Sequence, residues 1–238
     1  MTARVVSGIK QARTMTGVTL TEVAPHTDCP WPGQDEGYRA YHNTEWGRPV
    51  RDDQKLFEKL VLEGFQSGLS WLTILRKRPA FREVFEGFDP EVVARFDAAK
   101  VERLLEDARI IRHRGKIEAA IANARVVLDV IEEHGSFAGF VWGFAPDAHE
   151  RPATMAHVLS STPESTALAL ALKKRGAKFI GPTTAYAFME AMGLVNDHMV
   201  GCSIGDLLSN DQPHLDEVAR EGVDKDHEET GGDLKAPG

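Results

Sequence analysis

The sequence predicts an all-α protein whose two ends are drawn together at one site. Three observations carry this expectation. Apolar residues recur at helical spacing along most of the chain, while the strict alternation of a half-buried strand is almost absent. Acidic and hydroxyl residues, proline and glycine punctuate these stretches where helix ends need them. The only two cysteines, Cys29 and Cys202, stand near opposite ends, and each has a histidine within reach.

The elements follow in order. Residues 52–65 carry Leu56, Phe57, Leu60 and Val61 as one apolar stripe. After a break at Ser67-Gly68, a second helix is expected over Leu69–Lys77. Asp89-Pro90-Glu91 reads as an N-cap, a first-turn proline and an acid at the positive helix end. Asp97 caps a helix through Val101, Leu104 and Leu105. Arg114–Glu133 is a long helix with Ile117, Ile121, Ala124, Leu128 and Ile131 on one face, ended by His134-Gly135. A short apolar element spans Phe137–Phe144. Another helix starts at Ser165 or Thr166 and stops at Gly176; a last core helix spans Pro182–Met192 and stops at Gly193.

Three regions are expected: a flexible N-terminal extension at 1–26, one helical domain at 27–208, and an acidic disordered tail at 209–238. Residues 211–238 hold nine acids against three bases, in a chain of formal net charge −8. Such a segment buries too little apolar surface to offset its ordering entropy. The bases of the domain are clustered, at Arg76-Lys77-Arg78, at Arg109 to Lys116 and at Lys173-Lys174-Arg175 with Lys178. Phosphates are met by local patches, so the acidic total does not exclude a nucleic-acid partner. No run approaches the roughly 20 apolar residues that cross a bilayer, and residues 1–25 lack an apolar signal core. A cytoplasmic location, no membrane partner and a monomer are the expectations.

Cys29 and His42 lie near one end, His198 and Cys202 near the other at i and i+4. If residues 198–202 are helical, both side chains leave one face a turn apart. Four such donors would make a closed tetrahedral set of the structural zinc type, with no open position for a reactive water. A disulfide, or two unrelated cysteines beside surface histidines, are the other readings of the same spacing. A carboxylate at Glu63, on the edge of the 52–65 stripe, is either solvated on the rim or serves a pocket. Trp31, Tyr41 and Trp71 are either plain core or the aromatic walls of that pocket.

Longer runs narrow these alternatives. Residues 40–47 (AYHNTEWG), 62–71 (LEGFQSGLSW), 110–116 (IIRHRGK) and 193–198 (GLVNDH) together resemble the DNA-3-methyladenine glycosylase I family, in the right order, over about residues 28–206. The resemblance implies a helix-hairpin-helix glycosylase fold and a base-excision repair enzyme. Such an enzyme flips 3-methyladenine out of alkylated double-stranded DNA and hydrolyses its bond to the sugar. It implies a structural zinc held by Cys29, His42, His198 and Cys202. It places the base pocket on Trp31, Tyr41, Glu63 and Trp71, with Glu63 as the catalytic carboxylate, and the wedge into the DNA stack on Gly68-Leu69. The hairpin near Asp107–Ile111 would meet phosphate, with Arg109 and Arg112 as DNA-binding residues. Arg109 stands where a hairpin glycine is expected, and a left-handed arginine there would be strained; the alternatives are a different turn, or an Arg109 that compensates by meeting phosphate directly. The catalytic aspartate of the wider superfamily has no counterpart, as in this branch. The remaining readings are a non-catalytic lesion-binding module and a zinc hydrolase, the latter disfavoured by a closed ligand set.

Overall fold

The protein is described by a computed structural model over residues 29–209. The expected N-terminal extension and, past residue 209, the expected acidic tail lie outside the described residues. Among those residues the secondary structure is helical throughout, with no strand. The helices are α1 (Glu36–Thr44), α2 (Asp53–Gln66), α3 (Trp71–Val84), α4 (Pro90–Val93), α5 (Ala98–Glu106), α6 (Arg114–His134), α7 (Phe137–Trp142), α8 (Pro163–Lys174) and α9 (Pro182–Ala191). A further helical stretch covers residues 203–209.

α2 is the central element. Leu56, Phe57, Leu60, Val61, Leu62 and Phe65 are all essentially inaccessible to solvent, and α2 packs against α3, α6, α7 and α9. Burying six such side chains supplies on the order of 10 kcal/mol of apolar transfer free energy, before ordering costs. Asp53, in the first turn of α2, accepts the Phe137 and Ala138 N–H groups at 3.1 and 2.7 Å. It thereby serves the N-terminus of α7 as well as its own. At the other end of α2, the Lys116 ammonium from α6 donates to the Phe65 and Ser67 carbonyls at 2.9 and 2.6 Å. The following loop therefore leaves a helix end whose carbonyls are already satisfied.

The structure moves several boundaries. α1 was not expected; its start is set by Asp35, whose carboxylate accepts the Tyr38 N–H at 2.9 Å. α3 begins two residues later than expected, because Ser70 caps it through the Thr73 N–H. It also runs seven residues further than expected, through Pro79. An interior proline costs about 3 kcal/mol. The gain on the far side is Phe81 and Phe85, both fully buried, with ring centres 4.7 and 5.9 Å from that of Phe65. α8 starts at Pro163 rather than at Ser165, since Thr162 caps it in a reciprocal box with Ser165. Residues 198–202 are a turn, not a helix, and the helical stretch begins only after Cys202. The Arg151 guanidinium braces that turn, donating to the carbonyls of His198 at 2.8 Å and Met199 at 2.6 Å.

Candidate functional site: a four-donor cluster beside an aromatic pocket

Cys29, His42, His198 and Cys202 meet. All four are buried, and their ligand atoms lie within 4.8 Å of one another. A tetrahedral zinc with ordinary bond lengths sets its ligand atoms roughly 3.3–3.8 Å apart. Here Cys202 Sγ lies 3.5 Å from His198 Nδ1 and 3.7 Å from His42 Nε2. Cys29 Sγ is 3.9 Å from His198 Nδ1, and the two imidazole nitrogens are 3.0 Å apart. The ring nitrogens turned away from the cluster are also held: His42 Nδ1 by Asn43 Oδ1 at 2.7 Å, His198 Nε2 by the Trp46 carbonyl at 3.1 Å. Such outer contacts fix which nitrogen faces a metal. The two thiols shift in opposite directions. The hydrogen bond between them raises Cys29 and lowers Cys202, which His198 and His42 lower further. Both cysteines are free thiols, so the disulfide reading falls. The buried group could hold a metal ion.

The pocket adjoins this cluster. It is a cavity of about 200 Å³ whose walls include Trp31, Tyr41, Glu63 and Trp71, the four residues expected there, and also Tyr38, Trp46, Lys59, Gln66, Glu190 and Asp197. Cluster and pocket are built on the same short segments. His42 faces the cluster and Tyr41 the pocket; His198 faces the cluster and Asp197 the pocket; Cys29 and Trp31 divide in the same way. Trp46 lies between them, with its ring centre 5.0 Å from Trp31 and 4.6 Å from His198. Gly47 beside it has φ +76°, and a Cβ there would sit 3.0 Å from the His198 ring, so glycine serves both the turn and the packing.

Glu63 is 5% exposed, so the solvated-rim reading is set aside. Its partner is one turn back on α2: Lys59 Nζ lies 2.7 Å from Glu63 Oε1, donates to Tyr41 Oη at 2.9 Å, and sits 3.2 Å from the Trp71 ring centre. Burial pulls the Lys59 ammonium below the usual lysine range, against the pull of Glu63. Burial likewise raises the Tyr41 phenol well above its usual value, and Glu63 adds to this. On the opposite wall, Asp197 accepts from Tyr186 Oη at 2.7 Å and pairs with His149 Nε2. Burial opposes its ionisation, but these bonds outweigh burial and hold the carboxyl below its usual range. Glu190 has the opposite fate. Burial, then the charge of Asp197, push it well above the usual carboxylate range. The Trp71 indole N–H is buried with no acceptor among the described residues.

Sequence reasoning missed Lys59, Glu190 and the role of Asp197. The Lys59–Glu63 pair has i, i+4 spacing on a predicted helix, and that spacing was its one legible signal.

The expected DNA-facing residues lie outside the pocket. Gly68 takes φ +80° with open space where a Cβ would go, and Leu69 beside it is 41% exposed despite its apolar side chain. Arg112 is exposed. At Arg109 the turn differs from the glycine type: the residue is not among those with positive φ. Asp107 makes the turn instead, accepting the Arg109 N–H at 2.9 Å through its side chain, which removes the need for glycine. The amides of Arg109 and Ile110 are thus turned towards Asp107 rather than outward. The Arg109 guanidinium is paired with Asp107 and Glu83, both at 2.8 Å.

The methyladenine glycosylase family model matches residues 31–205. DNA-3-methyladenine glycosylase 1 of Escherichia coli is 53% identical over 178 residues, covering 73% of this chain and 94% of that protein. The DNA-3-methyladenine glycosylase of Haemophilus influenzae is 46% identical over 179 residues, covering 74% and 96%. A solved structure of 3-methyladenine DNA glycosylase I from Staphylococcus aureus, described for its recognition of 3-methyladenine, is 35% identical with a TM-score of 0.72 and covers 76% of this chain and 97% of that one. A family match over most of the described residues, with close relatives spanned almost end to end, leads to one conclusion: this chain belongs to the DNA-3-methyladenine glycosylase I family.

Proposed function

We propose that the chain flips 3-methyladenine out of alkylated double-stranded DNA into this pocket and hydrolyses its bond to deoxyribose, leaving an abasic site. The observation that carries the reading is a buried carboxylate, Glu63, on the wall of a small cavity shared with Trp31, Tyr41 and Trp71. Methylation at N3 makes the nucleobase cationic, which weakens its sugar bond. Electron-rich ring faces attract a cation more than a neutral base. Glu63 accepts a hydrogen bond from the exocyclic amine and favours positive charge. The unpartnered Trp71 N–H offers a donor to a purine ring nitrogen. A leaving group activated in this way asks mainly for binding and orientation, so Glu63 holds the base rather than acting as a strong general base.

On the same reading, Leu69 fills the vacated stack, within a helix-hairpin-helix type of fold. Arg112 meets phosphate. Arg109 joins it by exchanging Glu83, a pairing in which both side chains are more than half exposed and which solvent screens. The four-donor cluster holds zinc as a structural clip, with no open position for chemistry. The protein acts as a monomer in the bacterial cytoplasm.

The test is the release of free bases from DNA treated with a methylating agent. Native protein should release 3-methyladenine, and Glu63→Ala should release it about 10- to 100-fold more slowly, the loss of one buried charged hydrogen bond. No release from folded, metal-loaded protein would favour a non-catalytic lesion-binding module. Glu63→Gln that abolished single-turnover excision while leaving 3-methyladenine binding intact would give Glu63 a chemical role instead.

A further inference from the structure

Lys59 is a cation seated inside the pocket. Its Nζ contacts Glu63 at 2.7 Å, Tyr41 Oη at 2.9 Å and the Trp71 ring face at 3.2 Å from the centre. It is the one basic side chain among the residues lining the cavity. These three partners are the groups that the proposed function gives to the base. An ammonium at that distance covers the Trp71 face, so a stacked base and Lys59 cannot share it. We propose that Lys59 sets the affinity threshold of the base site: its ammonium occupies the base-recognition position, and a base binds only in exchange for it.

A second cavity of about 330 Å³ gives the displaced side chain a destination. It shares Tyr41, Lys59 and Trp71 with the first, and its walls include Glu45 and Glu58, which are paired with Arg78 and Arg82. A lysine stem turns about its four carbons, and there the ammonium would share these two carboxylates with Arg78 and Arg82. The residue then acts as a threshold. Every base must offset the same cost of expelling the ammonium, so weak binders such as undamaged adenine fall below useful occupancy, while tighter ones remain above it. The pull of burial on the Lys59 ammonium lowers that threshold without abolishing it.

This inference rests on reading the cavity as the base site, and the test separates the two. Binding of free 3-methyladenine and of free adenine is followed by quenching of tryptophan fluorescence in native protein, Lys59→Met and Lys59→Gln. Methionine matches the length of the stem, and glutamine keeps a donor for Glu63 without the charge. Both variants should bind both bases about tenfold more tightly than native protein. Native protein that binds 3-methyladenine, with variants that bind it equally or more weakly, would overturn the exchange alone. Native protein and variants that bind neither base would overturn the base-site reading and the exchange with it.

Discussion

The four-donor cluster and the pocket sit side by side, yet they handle buried charge in opposite ways. In the pocket, each acid comes with its own answer. Glu63 has Lys59, Asp197 has His149 and Tyr186, and the Glu190 carboxyl is pushed well above its usual range by burial. In the cluster, two thiols and two imidazoles converge within 4.8 Å. Were both thiols ionised, two thiolates that close would repel each other unless a positive charge stood between them. The difference teaches that one site is electrostatically complete within the chain, whereas the other brings together four donors that could hold an ion. Fold stability should therefore hang on the cluster, and selectivity on the pocket.

The largest way to break this comparison is at the cluster. Cys202→Ala should lower the unfolding temperature by about 10 °C or more and remove bound zinc. Structural zinc supplies folding free energy outright, and each kcal/mol is roughly 2–4 °C at this chain length. The checks are thermal unfolding and elemental metal analysis. A native protein purified without metal, whose stability the substitution leaves untouched, would mean that the four donors are complete on their own.

A smaller effect is expected at Gly193, just past α9. It has φ +75°, and a Cβ there would lie 2.5 Å from the Arg48 backbone carbon and the Pro49 nitrogen. Those residues belong to the loop joining α1 to α2, which Val50 also ties to Met192 through its N–H at 3.1 Å. Gly193→Ala should cost about 3 kcal/mol from strain and clash together, read as a drop in unfolding temperature of about 6–12 °C with zinc retained. Loss of zinc at the same time would show that the loop, and not the donors alone, aligns the cluster.

The smallest effect belongs to the pocket. The Glu190 carboxyl is raised in the folded protein, so folding favours its protonated form. The associated stability is present below the unfolded value near 4.3 and fades as pH rises through the folded value. Glu190→Gln removes this dependence. The unfolding temperature of the variant should match that of native protein near pH 4 and exceed it by a few degrees near pH 8. Parallel curves across that range would mean that Glu190 is ionised and paired like its neighbours.

Much of this was legible in the sequence, for reasons that differ between the two sites. Cysteine is scarce here, with only two in the chain, so Cys29 and Cys202 could be grouped with the histidines beside them, His42 and His198, even though the helix expected to carry the last pair is a turn. Glu63 and the aromatics stood out once a family pattern gave them a context. Lys59 did not, because a lysine on an amphipathic helix ordinarily faces water, and only tertiary packing turns it inward. Glu190 was hidden for a similar reason, among Tyr186, Phe188, Met189 and Ala191 on an otherwise apolar helix. α1 escaped notice because only Tyr41 and His42 are buried on it, too few to make a stripe. At Arg109 the missing glycine suggested strain, and the side chain of Asp107 supplied the turn without it.

The alternation of neighbouring residues between cluster and pocket has a consequence for how such a chain can change over generations. Tyr41 and His42, Asp197 and His198, and Cys29 with Trp31 each send one side chain to either place. A point substitution touches one of the two sites. Inserting or deleting a single residue in any of these segments turns the backbone by about 100° where it is helical and misdirects both sites at once. What these short stretches must inherit is their phase as much as their composition, and length variation among functional descendants should be confined to the loops that carry neither site.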